Sequence, residues 1–386
     1  MTEKAFLRGA RSDCRFFVGE KPCIFKRLCD GCEHFAARGK RILIIKLAAV
    51  GDVLRTTPLL RGLKAKYPSS FITWLTDPES AELLRFTELI DVLLPYSLES
   101  VVRLKAEKPD VLICLDKEPR ATALASQIEA GERFGFRWSK EGVLMPASEL
   151  VGYAFRLGYD DELKFRRNTK TYQEMVFEAC GLEYDASYEY LLDLPQEALT
   201  NARAVLAELG IGRGDVVVGL NTGAGAVFAT KVWPEAHFVE LVRLLREKSG
   251  VIPLLLGGPL EVERNKKIAA ACRGAAFDAG CGRSLTEFTS LVACCDVVVS
   301  ADTLAMHLAI AAKRPVVALV GPTCHAEIEL YGRGAKLVSD VPCAPCYLKS
   351  CDKGHVCMKG ISAQEVFRAV RQQLQSLESG VRSLES

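Results

Sequence analysis

The chain has 386 residues, 49% of them hydrophobic and 25% charged, with a formal net charge of +2. That length exceeds one compact core and fits two domains, while near-neutrality argues against a dedicated nucleic-acid binder. No run reaches the ~18 uncharged apolar residues of a membrane span, and the first residues lack the apolar core of a secretory signal, so a cytosolic protein is expected.

Residues 1–40 form an extension rich in charge and cysteine, and the character changes at Arg41. Ile42–Leu47 predicts a strand, apolar except for Lys46, followed by a turn at Gly51-Asp52 and a helix over Leu54–Lys66. Strand Phe71–Leu75, helix Ala81–Phe86, strand Val92–Leu94, helix Glu99–Lys108 and strand Val111–Leu115 come next. Residues 131–172 predict irregular structure, with arginines and aromatics interleaved, before a helix over Thr171–Cys180 and a hinge-like stretch at Leu191–Gln196. The pattern then restarts with helix Glu197–Leu209, strand Val216–Leu220 and the glycine-rich turn Asn221-Thr-Gly-Ala-Gly225. Helix Pro234–Lys248, strand Ile252–Leu256, helices Glu261–Cys272 and Leu285–Ala293, strand Val297–Ser300, helix Thr303–Ala312 and strand Val316–Val320 complete it. Such alternation predicts an α/β protein of two Rossmann-like halves, 41–195 and 196–386, with a ligand in the cleft at the carboxyl ends of the strands.

Four segments carry candidate chemistry. Asp52 follows a strand and a glycine turn, a place for a general base or for an ordinary helix cap. Arg55, one turn on, meets either an anionic substrate or Asp52 itself. In Asn221–Glu235, small residues let backbone approach an anion and Lys231 adds a positive charge, but the spacing is not that of a P-loop. Leu256-Gly-Gly-Pro-Leu-Glu261 puts an acid after a tight turn, where it can hold ribose hydroxyls or favour a helix dipole. Asp302-Thr303 opens a helix straight from an apolar strand, a geometry that suits phosphate, with His307 one turn further.

Gly51-Asp52, Lys231-Val-Trp-Pro234, Leu256-Gly-Gly-Pro-Leu-Glu261 and Asp302-Thr303 with His307, in that order, resemble glycosyltransferase family 9, the ADP-heptose heptosyltransferases of lipopolysaccharide core synthesis. The resemblance covers about residues 41–370 and implies the GT-B fold. It implies ADP-heptose as donor, inverting transfer and Asp52 as the base. Donor contacts would come from Thr222, Gly223, Thr230, Lys231, Glu261, Asp302, Thr303 and His307. No catalytic divalent metal is expected. The acceptor would be a saccharide, a lipid-saccharide or a protein. A nucleotide- or metal-binding protein that kept the fold without turnover is the alternative from another class. Two departures bear on the donor sugar: Leu304 replaces the family's glycine and Thr222 a frequent proline.

Basic stretches with interleaved aromatics, Arg133-Phe-Gly-Phe-Arg-Trp138 and Lys164–Lys170, suit an acidic saccharide or a lipid headgroup reached by peripheral membrane contact, and make Arg133 and Arg137 acceptor candidates with Arg55. Eight of the fifteen cysteines form two sets, Cys14, Cys23, Cys29, Cys32 and Cys343, Cys346, Cys351, Cys357. Each has a Cys-x2-Cys knuckle and four thiols, as a structural zinc or iron site requires; an iron–sulfur cluster fits the same ligands, and free thiols are the plain alternative. The resemblance extends to a family branch with a metal-binding C-terminal cysteine finger.

Overall fold

A computed structural model describes residues 9–225 and 227–384. The first half holds β1 (Arg41–Ile45), β2 (Phe71–Thr76), β3 (Val92–Pro95), β4 (Val111–Cys114), β5 (Glu132–Trp138) and β6 (Leu144–Pro146). They lie in the order β3-β2-β1-β4-β5-β6, parallel except for β6, which pairs antiparallel to β5. The second half repeats the plan with β7 (Val217–Asn221), β8 (Ile252–Leu256), β9 (Phe277–Asp278), β10 (Val297–Ala301), β11 (Val316–Val320) and β12 (Gly334–Val338), all parallel. Their order is β12-β11-β10-β7-β8-β9. Central strands such as β7 and β10 are buried along their whole length, as helices on both faces of a parallel sheet require. In each sheet the strand order reverses between the first and fourth strands, and there a crevice opens above the carboxyl ends.

The helix expected over Leu54–Lys66 is two helices, Val50–Leu54 and Leu59–Lys66. Pro58 cannot donate to the turn before it, so the chain breaks there. Thr56 and Thr57 hydroxyls satisfy the carbonyls of Asp52 and Leu54, each at 2.7 Å. Residues 131–172 are more regular than expected: β5, β6, a short helix Gly152–Arg156 and a π-turn over Leu163–Arg167 occupy them. A long helix, Ala363–Leu384, closes the described chain. It buries Ala363, Val366, Phe367 and Val370, one stripe at helical spacing, against the second sheet.

The halves meet directly. Val50, Leu54 and Leu83 join the apolar core of the second half, and Glu82 Oε1 accepts from the Thr286 backbone at 2.8 Å and its hydroxyl at 2.6 Å. The cysteine-bearing extension, described from Gly9, has a single β-bridge, Cys14 with Ala37. Arg15 pins it to Asp91 at 2.7 Å and to the Ser70 carbonyl at 3.2 Å. Those residues precede β3 and β2, so the extension docks at the end of the sheet opposite the crevice. Among the described residues no helix is long and apolar enough to cross a membrane.

Candidate active site

Charge gathers at both points of strand reversal. Lys46, at the end of β1, is buried and donates to Asp116 Oδ1 at 2.6 Å and to the Ala48 carbonyl. Asp116, just past β4, also accepts from the Leu47 backbone. Asp52 is not a helix cap: Ala49 holds that position, and Asp52 stands in the first turn of Val50–Leu54. Burial raises the pKa of Asp52, but Arg55, Lys46 and His307 outweigh it and hold the carboxyl below its usual range. Asp52 is therefore ionised at neutral pH. Arg55 Nη2 lies 2.9 Å from Asp52 Oδ1, with its guanidinium 3.8 Å over the Tyr172 ring and 3.9 Å from Glu327. Packed in this way, Arg55 is a fixed charge.

On the facing half, Lys231 Nζ donates to the Asp302 carbonyl at 2.7 Å and to its Oδ2 at 3.2 Å. Thr303 begins the helix Leu304–Ala311 without capping it; its hydroxyl meets Ser300 Oγ at 3.0 Å and accepts from Asn221 at 3.2 Å. The leading N–H groups of that helix thus receive no side-chain cap from Thr303, an arrangement that favours an anion. His307 bridges the halves. Its Nδ1 faces Tyr190 Oη at 3.3 Å, its Nε2 lies 3.8 Å from Asp302 Oδ1, and its ring packs on Gly51. Burial, reinforced by Arg55, pushes the imidazole down to about 4, so it is neutral.

Gly223 leaves room for the Glu261 side chain, since a Cβ there would stand 2.3 Å from Glu261 Cδ and the carboxylate would have to move aside. Glu261 in turn accepts from the Gly258 backbone at 2.9 Å within its own turn, which places its side chain against Gly223.

Beside Asp52 a cavity of about 370 Å³ opens against the first half, lined by Lys46, Arg55, Lys117, Lys164 and Tyr172 among others, with Glu327 reaching in from the second half. Lys117, Tyr172, Glu327 and the Lys46–Asp116 pair were not singled out as site residues from sequence. Asp116, directly after the predicted strand Val111–Leu115, was the available signal.

Four predicted ligands are engaged elsewhere. Thr222 is buried and donates to Asn265 at 2.5 Å, so its side chain turns into the core rather than the cleft. Thr230, also buried, donates to the Leu348 carbonyl at 2.8 Å and anchors the C-terminal cysteine loop. Arg133 closes the end of helix Pro119–Gln127 by donating to the carbonyls of Ala125, at 2.7 Å, and Ile128. Arg137 is exposed on β5, 3.2 Å from the Pro146 carbonyl, while its neighbour Phe136 lines the cavity.

Family comparison decides what this cleft belongs to: glycosyltransferase family 9 (heptosyltransferase) matches residues 99–357. The chain belongs to this family. It is a glycosyltransferase with two Rossmann-like domains in the GT-B arrangement. Lipopolysaccharide heptosyltransferase 1 of Escherichia coli strain K12 is 24% identical over 318 residues, which cover 76% of this chain and 91% of that protein. The structure of E. coli heptosyltransferase WaaC with ADP-2-deoxy-2-fluoro heptose superposes with TM-score 0.55 at 21% identity, covering 86% of this chain and 99% of that one. The iron-containing dodecameric glycosyltransferase TibC of enterotoxigenic E. coli H10407 gives TM-score 0.53 at 12% identity, covering 89% and 78%.

The C-terminal cysteines of the enzyme sit against this site. Cys357 is buried, within charge range of Cys346, Cys343 and Cys351, and Cys351 Sγ accepts the His355 N–H at 3.3 Å. Arg166 of the first half reaches the carbonyls of Ala344 and Pro342, both at 3.2 Å. Among the described residues no three His, Cys, Asp or Glu side chains are arranged to hold a metal ion as they stand.

Proposed function

We propose that this enzyme moves heptose from ADP-heptose to a saccharide of the lipopolysaccharide core type, with inversion and with Asp52 as general base. One observation carries the reading. Asp52, held ionised beside a cation-lined cavity, stands on one side of the cleft, and the Lys231–Asp302 pair with an uncapped helix start stands on the other. An acceptor hydroxyl in the cavity gives its proton to Asp52 while its oxygen forms a bond to the anomeric carbon. The bond from that carbon to the diphosphate oxygen breaks on the opposite face, and ADP departs with the electron pair. Lys231 and the N–H groups at Thr303–Leu304 receive the growing negative charge, where fixed donors act most strongly. Lys46, Lys117 and Lys164 favour an acceptor bearing carboxylate or phosphate groups, and the cavity's size favours a saccharide end over a folded protein. A lipid-linked acceptor would be met by peripheral contact at a membrane's cytosolic face.

The residues Cys343, Cys346, Cys351 and Cys357 also fit a structural zinc or iron ion. The N–H bond to Cys351 Sγ is the kind that stabilises a thiolate, and four thiolates leave no position open for substrate. Such an ion would stiffen a loop that Thr230 and Arg166 tie to both halves.

Calorimetry with ADP, UDP and GDP tests the donor. Selective ADP binding, weakened by Lys231→Ala, is expected; preference for UDP or GDP would overturn the donor assignment.

A further inference from the structure

The extension holds four thiols that play no part in the cleft. We propose that Cys14, Cys23, Cys29 and Cys32 form a second metal site, a four-thiolate centre for a divalent ion of the zinc–iron class. It stands apart from the Cys343–Cys357 loop and serves to lock the extension onto the sheet.

Three observations converge on it. First, all four cysteines line one small pocket, together with Phe16, Phe25 and His34. No three of them are arranged to hold an ion as they stand, so the thiols converge further when the ion binds.

Second, that backbone repeats one shape at every cysteine. Phe17 N–H bonds the Cys14 carbonyl at 3.1 Å, and Lys26 N–H the Cys23 carbonyl at 2.9 Å. Cys32 N–H bonds Cys29 at 3.2 Å, and Phe35 N–H bonds Cys32 at 3.3 Å. Four tight turns each open on a cysteine, and the one from Cys29 to Cys32 closes the Cys-x2-Cys span that brings two sulfurs to one ion. In the other cysteine set, the corresponding turn bonds Ala344 to Val341 instead.

Third, burial alone does not account for a fixed extension. From Gly9 to Lys40 there is no helix and one isolated bridge, and Cys14 is the sole buried apolar residue, while Ile24 is 73% and Leu28 84% exposed. Ordering about thirty residues costs far more than so small a core returns, the situation in which small natural modules add a metal or disulfides. Yet Arg15 and Arg38 hold defined positions, on Asp91 and on the Phe17 carbonyl, both at 2.7 Å. His34 is stacked on Phe25 beside the thiols, with ring centroids 4.0 Å apart. The centre lies at the opposite end of the first sheet from Asp52, so its role is structural.

Metal content of the purified full chain, by mass spectrometry, is the first test. Changing Cys29 and Cys32 together to Ser should remove one metal equivalent per chain, leave ADP binding in place, and differ from a Cys272→Ser control that removes none. Because that variant can misfold, the wild-type holoprotein is also alkylated with iodoacetamide before and after chelation, and labelled peptides are mapped. Protection of Cys14, Cys23, Cys29 and Cys32 that chelation abolishes is the expected result. Unchanged metal content in the variant, immediate labelling of the four, or their recovery as disulfides would each overturn the site.

Discussion

Gly51→Ala is the sharpest test of how the two halves are aligned. A Cβ at this position would fall 2.6 Å from His307 Cδ2 and 3.3 Å from its Cγ. Carbon atoms rest at about 3.5–4.0 Å, so about 1 Å must open between two helices of different halves. The ring has little freedom to yield, being buried and bounded by Tyr190 and Asp302. Overpacking of this kind costs about 1–3 kcal/mol, and the helix preference of Ala over Gly returns ~1 kcal/mol. A net loss of about 1 kcal/mol is expected in urea unfolding. The effect on transfer should be larger, because Asp52 is one residue away and a misplacement of ~1 Å can cost about 100-fold in rate. Steady-state transfer and unfolding are measured on Gly51→Ala, His307→Ala and the pair. If the clash is the cause, the pair recovers stability relative to the sum of the singles, a coupling of about 1 kcal/mol. Wild-type kcat and stability in Gly51→Ala, or strict additivity of the two changes, would refute the reasoning.

Three further outcomes follow from the same geometry. Asp52→Asn should lower kcat by about 10²–10⁴-fold while ADP binding by calorimetry stays unchanged. Asp302→Asn should weaken the hold on Lys231, so ADP binds more tightly while transfer falls; weaker ADP binding would contradict the pairing. His307 titrates at about 4 in the folded chain against 6.5 ordinarily, so the unfolded state binds more protons between those values and stability falls as pH drops through them. The full contribution, about 3 kcal/mol, is present above pH 6.5 and gone below pH 4, and His307→Gln should flatten that part of the unfolding profile.

Strand positions were legible because a buried parallel strand is an unbroken apolar run, as at Ile252–Leu256 and Val316–Val320. The same logic located Asp52 and Asp302, which follow strand ends, while Lys231 and His307 came from the glycine-rich turn, the helix after Asp302 and the family resemblance, and the structure brings those four to one cleft. What sequence did not carry was the direction of side chains on irregular backbone. Thr222 and Thr230 flank a glycine-rich turn as donor ligands would, yet both hydroxyls are drawn inward by partners 43 and 118 residues away. Arg133 reads as a surface cation, but the open carbonyls at a helix end that sequence did not reveal capture it. Tyr190 and Glu327 join the site only through tertiary contacts, with His307 and Arg55 respectively, and no local pattern marks them.

The pairing of charges across the cleft sets what a donor must do. Each cation nearest the proposed chemistry already has a carboxylate: Lys46 with Asp116, Arg55 with Asp52 and Glu327, Lys231 with Asp302. A diphosphate entering beside Lys231 therefore competes with Asp302 instead of filling an uncompensated positive site, and simple attraction is weaker than a count of lysines suggests. Affinity must come from contacts that Asp302 does not already make, namely the uncapped N–H groups at Thr303–Leu304 and the two glycine turns beside Glu261. The balance changes during reaction. Charge on the departing diphosphate rises as the glycosidic bond breaks, and Lys231 can shift from Asp302 toward it without leaving the cleft. Lys231 is held by the Asp302 carbonyl at 2.7 Å and by its carboxylate at 3.2 Å, and in the proposed reaction a cation that lengthens the weaker of these contacts toward the departing diphosphate favours the transition state over the ground state. Arg55, fixed between two carboxylates and an aromatic ring, has no such freedom. In the proposed mechanism it instead keeps Asp52 ionised until an acceptor hydroxyl arrives.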